Sequence, residues 1–346
     1  MRTISAADSV SPAIQRTRDF LFKPFSWGTY LKLGLVAIIT EGLGHNFQSS
    51  SHKSQPSVHG PFVYPGFHPS PLMIAEIVFA VLLAIVVAVW LCYLVTRLRF
   101  AFFNCLVHNT KEIRPGWRLY QTEATRFFWF NVVVGLCYLV VVVLIALPFA
   151  VGFFKLFHGI PPGGHPDWLA LIALALPLIP IIILMVLAGI LIDVVLRDWM
   201  LPHFALGNAS AGEAWAEVWA RIKAEKRQFL VYALLRLILP TIALVALFIV
   251  LLIPGLILGG SLAAVEYSLH SVFADATGAS AFVGVLLKIF FGVIAAGFGL
   301  LFSVCLGGPI STGIREYALI FYGGRYQALG DLLYPPNAAP GTPGIA

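Results

Sequence analysis

The sequence predicts an all-α, polytopic integral membrane protein with six transmembrane helices. Of its 346 residues, 59% are hydrophobic and only 11% are charged, whereas ordinary soluble domains are about 25% charged. Several apolar runs are longer than the ~18 residues that a helix needs to cross a bilayer. Backbone polar groups in lipid must be satisfied internally, and runs of this length favour helices over the short alternating strands of a barrel.

The positions of the apolar runs and of the basic residues predict a topology. We expect spans at about 27–44, 72–98, 127–156, 168–198, 228–258 and 281–306. All lysines and arginines fall in 1–32, 97–126, 197–236 and 315–325, except Lys53, Lys155 and Lys288. The positive-inside rule therefore places both termini in the cytoplasm and loops 45–71, 157–167 and 259–280 outside. The predicted location is a bacterial inner membrane.

An amphipathic helix is expected just before the fifth span. Ser210 and Glu213 have the spacing of a capping box, and apolar residues then recur at helical intervals beside basic ones. Such a helix lies in the membrane plane and is attracted to anionic lipid. Similar stretches precede spans one and three. The predicted headgroup contacts are Trp117, Arg118, Arg126, Trp215, Trp219, Arg221, Lys223, Lys226 and Arg227.

The three amphipathic stretches indicate an internal repeat. Each unit would contain an in-plane helix, a span, an outer loop and a second span, with units at about 10–108, 109–208 and 209–325. The second spans end alike, in RLRFAFFN, RDWMLPHF and REYALIFY. The simpler alternative is that any amphipathic helix before a span looks similar. We expect one transmembrane domain, 1–330, followed by a flexible Pro/Gly-rich tail, 331–346.

The order of LFKPFSWGTYLKLGL, AWAEVWARIKAEKRQFLVYALLR and six spans resembles a set of uncharacterised bacterial and archaeal membrane proteins. That set includes the membrane region fused to some glycerophosphodiester phosphodiesterases. The resemblance covers residues 10–325 and implies a six-span membrane fold. It transfers no catalytic residues, because the phosphodiesterase activity belongs to a domain that these residues do not match.

Two groups of intramembrane charges are candidate sites. Asp193 and Arg236 have matched depths and are expected to pair, with Arg197, four residues after Asp193, as the competing partner. Near the outer face, Glu41, Glu76 and Lys288 form a candidate outer charge cluster. For both groups a structural ion pair is the simpler interpretation, and a role in transport, proton relay or ligand binding is the alternative.

The remaining motifs predict no enzyme chemistry. We find no nucleophile set, zinc motif or phosphate loop, and we expect no cofactor and no nucleic-acid partner. Seven histidines lie on the predicted outer side, and metal binding by them is left open: His45, His52, His59, His68, His158, His165 and His270. The leading hypothesis is a non-enzymatic scaffold or lipid-interacting protein, which could be a partner subunit of a membrane complex. The alternative is a transporter of a small or amphiphilic molecule, and a membrane enzyme is the third hypothesis.

Overall fold

The structure is a computed structural model that describes residues 4–42, 71–158, 168–273 and 279–334. These segments are almost entirely helical and contain no β-strand. The first six helices are α1 (Val10–Phe22), α2 (Trp27–Gly42), α3 (Pro71–Val107), α4 (Ile113–Leu119), α5 (Gln121–His158) and α6 (Trp168–Ala175). They are followed by α7 (Leu178–Val194), a π-helical turn (Val195–Met200), α8 (Leu201–Gly207), α9 (Ala211–Ala224), α10 (Lys226–Val272), α11 (Ala279–Gly323) and α12 (Gln327–Leu333).

Five helical stretches are long and apolar enough to cross a membrane. They are Met73–Val107, Gln121–His158, Trp168–Gly207, Lys226–Val272 and Phe282–Gly323. They match the second to sixth predicted spans. The last predicted outer loop, 259–280, is shorter than expected because α10 continues to Val272. Residues 331–333 of the predicted tail belong to α12, which extends to Leu333, and 335–346 lie outside the described residues.

The first predicted span is not confirmed, because α2 is too short and its far end is buried among charges. α2 has 16 residues, which at 1.5 Å per residue is ~24 Å, less than the ~30 Å of a hydrocarbon core. It packs beside the last part of α11, where Tyr30 donates a hydrogen bond to the Cys305 carbonyl. The carboxylate of Glu41, at the other end of α2, lies 4.0 Å from the Arg315 side chain.

Proline shapes the third long stretch. Pro177 lies between α6 and α7 and occupies the N-cap position of α7. Proline lacks an N–H group and disfavours helical geometry in the residue before it, so α6 ends at Ala175. Pro148, Pro240, Pro254 and Pro309 are instead accommodated inside α5, α10 and α11.

The buried side chains are concentrated at one end of the long helices. We call residues 4–42, 93–132, 194–236 and 304–334 the packed end, because nearly all the buried residues of the described segments lie there. The aromatic residues after each predicted exit form much of this core, including Phe100, Phe103, Trp199, Tyr317 and Phe321. We call 73–92, 133–158, 168–193, 237–273 and 282–303 the apolar halves. Their large hydrophobic side chains are mostly exposed.

The capping box at the start of α9 is confirmed. The Glu213 backbone N–H donates to Ser210 Oγ at 3.3 Å, and the Ser210 backbone N–H donates to Glu213 Oε2 at 2.9 Å. These hydrogen bonds from Ser210 hold the pKa of the Glu213 carboxyl below its usual value. A lowered pKa means that the cap stabilises α9 above the unfolded pKa of glutamate, and that this contribution is lost as the pH falls through the folded pKa.

The backbones of α2 and α11 approach each other closely. A Cβ atom at Gly308 would lie 2.7 Å from the Gly34 Cα atom, a distance that real Cβ contacts do not show. Glycine at both positions therefore allows α2 to reach the depth at which Glu41 meets its partners.

We predict that Gly308→Val lowers the thermal stability of the chain in detergent. Overpacking at a backbone contact costs about 1–3 kcal/mol, because α2 must move away from α11. Gly299→Val is the matched control on the same helix, since a Cβ there has nothing within 4 Å. Equal shifts in melting temperature for the two variants would show that α2 does not pack at Gly308.

Candidate functional site

The π-helical turn Val195–Met200 brings charged residues into the core. In an α-helix successive side chains point about 100° apart, so four neighbours rarely face one core. Here Arg197, Asp198, Trp199 and Met200 are all buried. The π-helical turn is wider than an α-helical turn, and other helices surround it on several sides, so all four side chains can be buried. π-Helical turns are rare and are frequent at functional sites, so the turn marks this region as the candidate site.

Asp198 is the centre of the site. Its carboxylate is fully buried and accepts hydrogen bonds from Arg236 Nε at 2.9 Å, Arg315 Nη1 at 3.1 Å and the Tyr232 hydroxyl at 2.8 Å. These donors belong to α10 and α11. A carboxylate removed from water must recover its solvation from such donors, since an unpaired buried charge is very costly. Asp198 therefore joins the π-turn to α10 and α11.

Glu41 supplies the second buried carboxylate. Its Oε2 atom accepts a hydrogen bond from Arg236 Nη2 at 3.1 Å and lies 3.5 Å from Arg197 Nε. Arg236 therefore bridges Glu41 and Asp198. Through these contacts α2 is attached to the same cluster as the π-turn, α10 and α11.

Two further charged residues lie around this centre. Asp193, which is partly exposed, lies 3.3 Å from Arg197 Nη2. Arg99 of α3 donates a hydrogen bond from Nε to the Thr40 carbonyl at 3.0 Å, next to Glu41. We use the term ion cluster for Glu41, Arg99, Asp193, Arg197, Asp198, Arg236 and Arg315. It joins five parts of the chain: α2, α3, the α7–π-turn segment, α10 and α11.

Aromatic rings pack around the ion cluster and limit the access of water. The Tyr232 ring stacks on Tyr317 with a centroid distance of 5.0 Å and on Phe321 at 4.4 Å. Trp199 packs edge-on against Phe229 at 4.8 Å. In such surroundings an ion pair is strong, and the loss of one partner is correspondingly expensive.

The two predicted charge groups require correction. Asp193 contacts Arg197, the competing partner, while Arg236 contacts Asp198 and Glu41. The prediction of a direct Asp193–Arg236 pair was wrong because Asp198, brought inward by the π-turn, occupies the position facing Arg236.

The candidate outer cluster of Glu41, Glu76 and Lys288 is not formed in the structure. Glu41 lies at the packed end with Arg197, Arg236 and Arg315, because α2 stays beside the last part of α11. Glu76 and Lys288 are exposed, in the apolar halves of α3 and α11. The three residues of the predicted outer cluster therefore lie apart, with Glu41 buried and Glu76 and Lys288 exposed.

The predicted headgroup residues differ in their availability. Arg118, Arg126, Lys223, Lys226 and Arg227 are exposed. Trp215 and Trp219 are about half exposed and stack on each other at 6.0 Å. Arg221, by contrast, is held by the protein, since it donates to Glu217 at 3.0 Å and to the Arg325 carbonyl at 3.2 Å. Trp117 lies under the Arg97 guanidinium, 4.4 Å from ring centroid to Cζ.

Sequence reasoning did not identify Asp198, Arg99 and Arg315 as members of a site, although a signal was present. The three repeated exits each contain an arginine followed by aromatic residues, and Arg99, Arg197 and Arg315 come from these exits. An arginine at the same place in three units suggests that the three side chains lie close together in the fold. The second signal was Asp198, an acidic residue beside one of these arginines in an otherwise apolar stretch.

The cluster has the chemistry of a structural clamp. Its carboxylates are bound to guanidinium groups and a phenol, and within the described segments no three His, Cys, Asp or Glu side chains are grouped so as to hold a metal. Of the seven histidines for which metal binding was left open, only His158 and His270 fall in those segments.

Comparison with known proteins identifies one family, whose model matches residues 4–332. The chain belongs to DUF7544, a family of unknown function. No curated protein matches the chain. No solved structure matches it either. The family match covers the apolar halves, every residue of the ion cluster and all but the last two residues of the packed end, and it assigns no activity to any of them.

We predict that Asp198→Asn and Arg236→Gln each destabilise the chain strongly in detergent. Removal of one partner from a buried pair costs about 3–5 kcal/mol, because the other charge is left unpaired. The double variant should lose less than the sum of the two single variants, as expected for residues in contact.

The matched cycle combines Asp193→Asn with Arg236→Gln. Asp193 contacts Arg197 and not Arg236, so these two losses should couple less strongly than those of Asp198→Asn and Arg236→Gln, although both residues belong to the ion cluster. Strong coupling in this second cycle and additivity in the first would show that the pairing in the ion cluster is assigned incorrectly.

Proposed function

We propose that the chain is a non-enzymatic, multi-pass protein of the bacterial inner membrane that binds anionic lipid and acts as a scaffold or subunit of a membrane complex. The observation that carries the proposal is the contrast between the two parts of the molecule. Large hydrophobic side chains along the apolar halves are exposed, whereas soluble monomers rarely expose apolar patches above a few hundred Å². Lipid is the environment that suits such a surface.

The residues at the ends of the apolar halves support this placement. Trp129 and Trp27, at the packed end, are 60% and 64% exposed, and Trp168 and Tyr267, in the apolar halves, are 68% and 75% exposed. Exposed aromatic rings favour the level of the headgroups. Arg118, Arg126, Lys223, Lys226 and Arg227 lie at the packed end, where exposed cations would meet anionic headgroups.

We place the packed end at the cytoplasmic face. Of the 22 lysines and arginines, all but Lys53, Lys155 and Lys288 lie in stretches that belong to this end or, for Arg2, just before it. The positive-inside rule favours that orientation. Labelling by an impermeant thiol reagent in intact cells tests it: in a cysteine-free background, a cysteine at Ala211 should stay unlabelled and one at Thr277 should react.

The threefold repeat remains part of the proposal. In each unit a short helix precedes a long one: α1 before α2, α4 before α5 and α9 before α10. Each unit then ends with an arginine-containing exit that reaches the ion cluster. In this scheme α2 is the shortened member of the first unit, and α1, α4 and α9 are the in-plane helices. The resemblance to the membrane region of some glycerophosphodiester phosphodiesterases adds no reaction to the proposal.

A transporter of a small or amphiphilic molecule is the alternative function, and one observation favours it. Arg197 Nη1 and Arg315 Nη2 are buried and have no hydrogen-bond partner within the described segments. Unsatisfied buried donors are uncommon in stable proteins and call for an explanation. A substrate anion would provide one. Transport that is lost in Arg197→Lys and Arg315→Lys variants of unchanged stability would favour this alternative over the scaffold.

We predict that a peptide of residues 209–230 binds anionic vesicles more tightly than neutral ones. Each basic residue near an anionic surface contributes about 1 kcal/mol, so replacing Lys223, Lys226 and Arg227 by glutamine should remove most of the preference. The fluorescence of Trp215 and Trp219 reports binding directly. Equal affinity of the unmodified peptide for phosphatidylglycerol and phosphatidylcholine vesicles would remove the electrostatic part of the proposal.

A further inference from the structure

A groove on the surface of α4 and α5 combines basic, polar and aromatic side chains. It has a volume of about 490 Å³, and its lining includes Arg118, Gln121, Thr122, Thr125, Arg126 and Trp129. The groove lies at the packed end, away from the ion cluster, and the ion cluster contributes no residue to its lining.

The polar part of the groove is suited to a phosphate group. Its lining contains two guanidinium groups, two hydroxyls and an amide, and no carboxylate. Arg118 and Arg126 form no ion pair with any residue of the described segments. No carboxylate of those segments therefore competes with a ligand for either guanidinium group. Guanidinium groups bind phosphate oxygens through paired, charge-assisted hydrogen bonds.

Neighbouring contacts hold parts of the groove in position. Arg126 Nη1 donates to Asn208 Oδ1 at 3.0 Å, which fixes one edge of the guanidinium. Thr125 Oγ1 donates to the Gln121 carbonyl at 2.8 Å and lies 3.3 Å from the Tyr93 hydroxyl. The groove is therefore lined by α4 and α5, and contacts with α3 and the α8–α9 connection hold two of its side chains.

The other end of the groove is apolar and continuous with the membrane-facing surface. Trp129 is 60% exposed, and Leu119, also in the lining, is 64% exposed. Beyond Trp129, α5 continues directly into its exposed apolar half, 133–158. A ligand that fits both ends has an anionic phosphate and a hydrocarbon chain.

We propose that this groove binds one anionic phospholipid, with its phosphate between Arg118 and Arg126 and an acyl chain along α5 past Trp129. This inference rests on the proposed function, because it requires the groove to lie at the headgroup level of a bilayer. It adds a defined site and a ligand class to the general attraction of the basic surface for anionic lipid.

The test measures lipid retained by the purified full-length chain. Native mass spectrometry of delipidated protein in detergent, titrated with dioleoyl phosphatidylglycerol, should show one tightly bound lipid per chain. Arg118→Gln combined with Arg126→Gln should weaken that binding by about tenfold or more, because each lost arginine removes charge-assisted hydrogen bonds. Unchanged thermal stability of the variant shows that its fold is intact.

The matched control is Arg18→Gln combined with Arg114→Gln. Both arginines are exposed, neither lines the groove, and Arg114 lies on α4 like Arg118. The control removes the same charge, so it should retain phosphatidylglycerol as the unmodified chain does. Equal losses in the two double variants would show that charge alone attracts the lipid and would overturn the site.

Three further measurements complete the test. Dioleoyl phosphatidylcholine should bind more weakly than phosphatidylglycerol, because its headgroup carries no net charge. Glycerol 3-phosphate should not displace the lipid at equal concentration, and displacement would show that the groove takes a free phosphate ester instead. Trp129→Ala should weaken lipid binding, and no effect would contradict the assigned path of the acyl chain.

The failure of this inference is distinguishable from the failure of the proposed function. If the Arg118/Arg126 variant retains phosphatidylglycerol as tightly as the unmodified chain, the groove is not the site, although the protein still binds lipid. If the unmodified chain retains no phosphatidylglycerol, the groove proposal is wrong. The preference of residues 209–230 for anionic vesicles then decides separately whether the basic surface binds lipid.

Discussion

The buried carboxylate of Asp198 is the interaction on which the rest of the structure depends. It is fully buried, and Arg236, Arg315 and Tyr232 must come from two other helices to satisfy it. Replacing buried ion pairs by apolar residues is often neutral or stabilising, so such a cluster is weak evidence for stability as such. We infer that it contributes specificity, because apolar helices can slide past each other while a hydrogen-bonded cluster admits one register.

This constraint explains why the molecule has a packed end and exposed apolar halves. Around Asp198 and Glu41, short helices and aromatic residues complete a core comparable to that of a soluble domain. Away from it, the long helices carry side chains that face outward and contact few neighbours. Helices in lipid satisfy their own backbone groups and need no partner to do so. The packed end can therefore fix the helix arrangement, while lipid covers the remainder.

Much of the fold could be predicted from composition and helical spacing, and the candidate site only in part. Five long apolar helices and the Ser210–Glu213 cap follow from local patterns. The span predicted over α2 is not confirmed, because an apolar helix that packs inside a protein has the same composition as a short span. The partners of Arg236 depend on the π-turn, and hydrophobic periodicity does not reveal such a turn. Arg197 was identified as the competing partner of Asp193 because four-residue spacing is a local signal.

The most direct test of the central role of Asp198 is amide hydrogen exchange of the full-length chain in lipid nanodiscs, with and without Asp198→Asn. The account predicts faster exchange in the segments that meet at the ion cluster, including the end of α2 near Glu41 and the parts of α10 and α11 near Arg236 and Arg315. Exchange in the apolar halves should change little, since their backbone hydrogen bonds are internal to each helix. Faster exchange confined to the π-turn, with α2, α10 and α11 unaffected, would contradict the account.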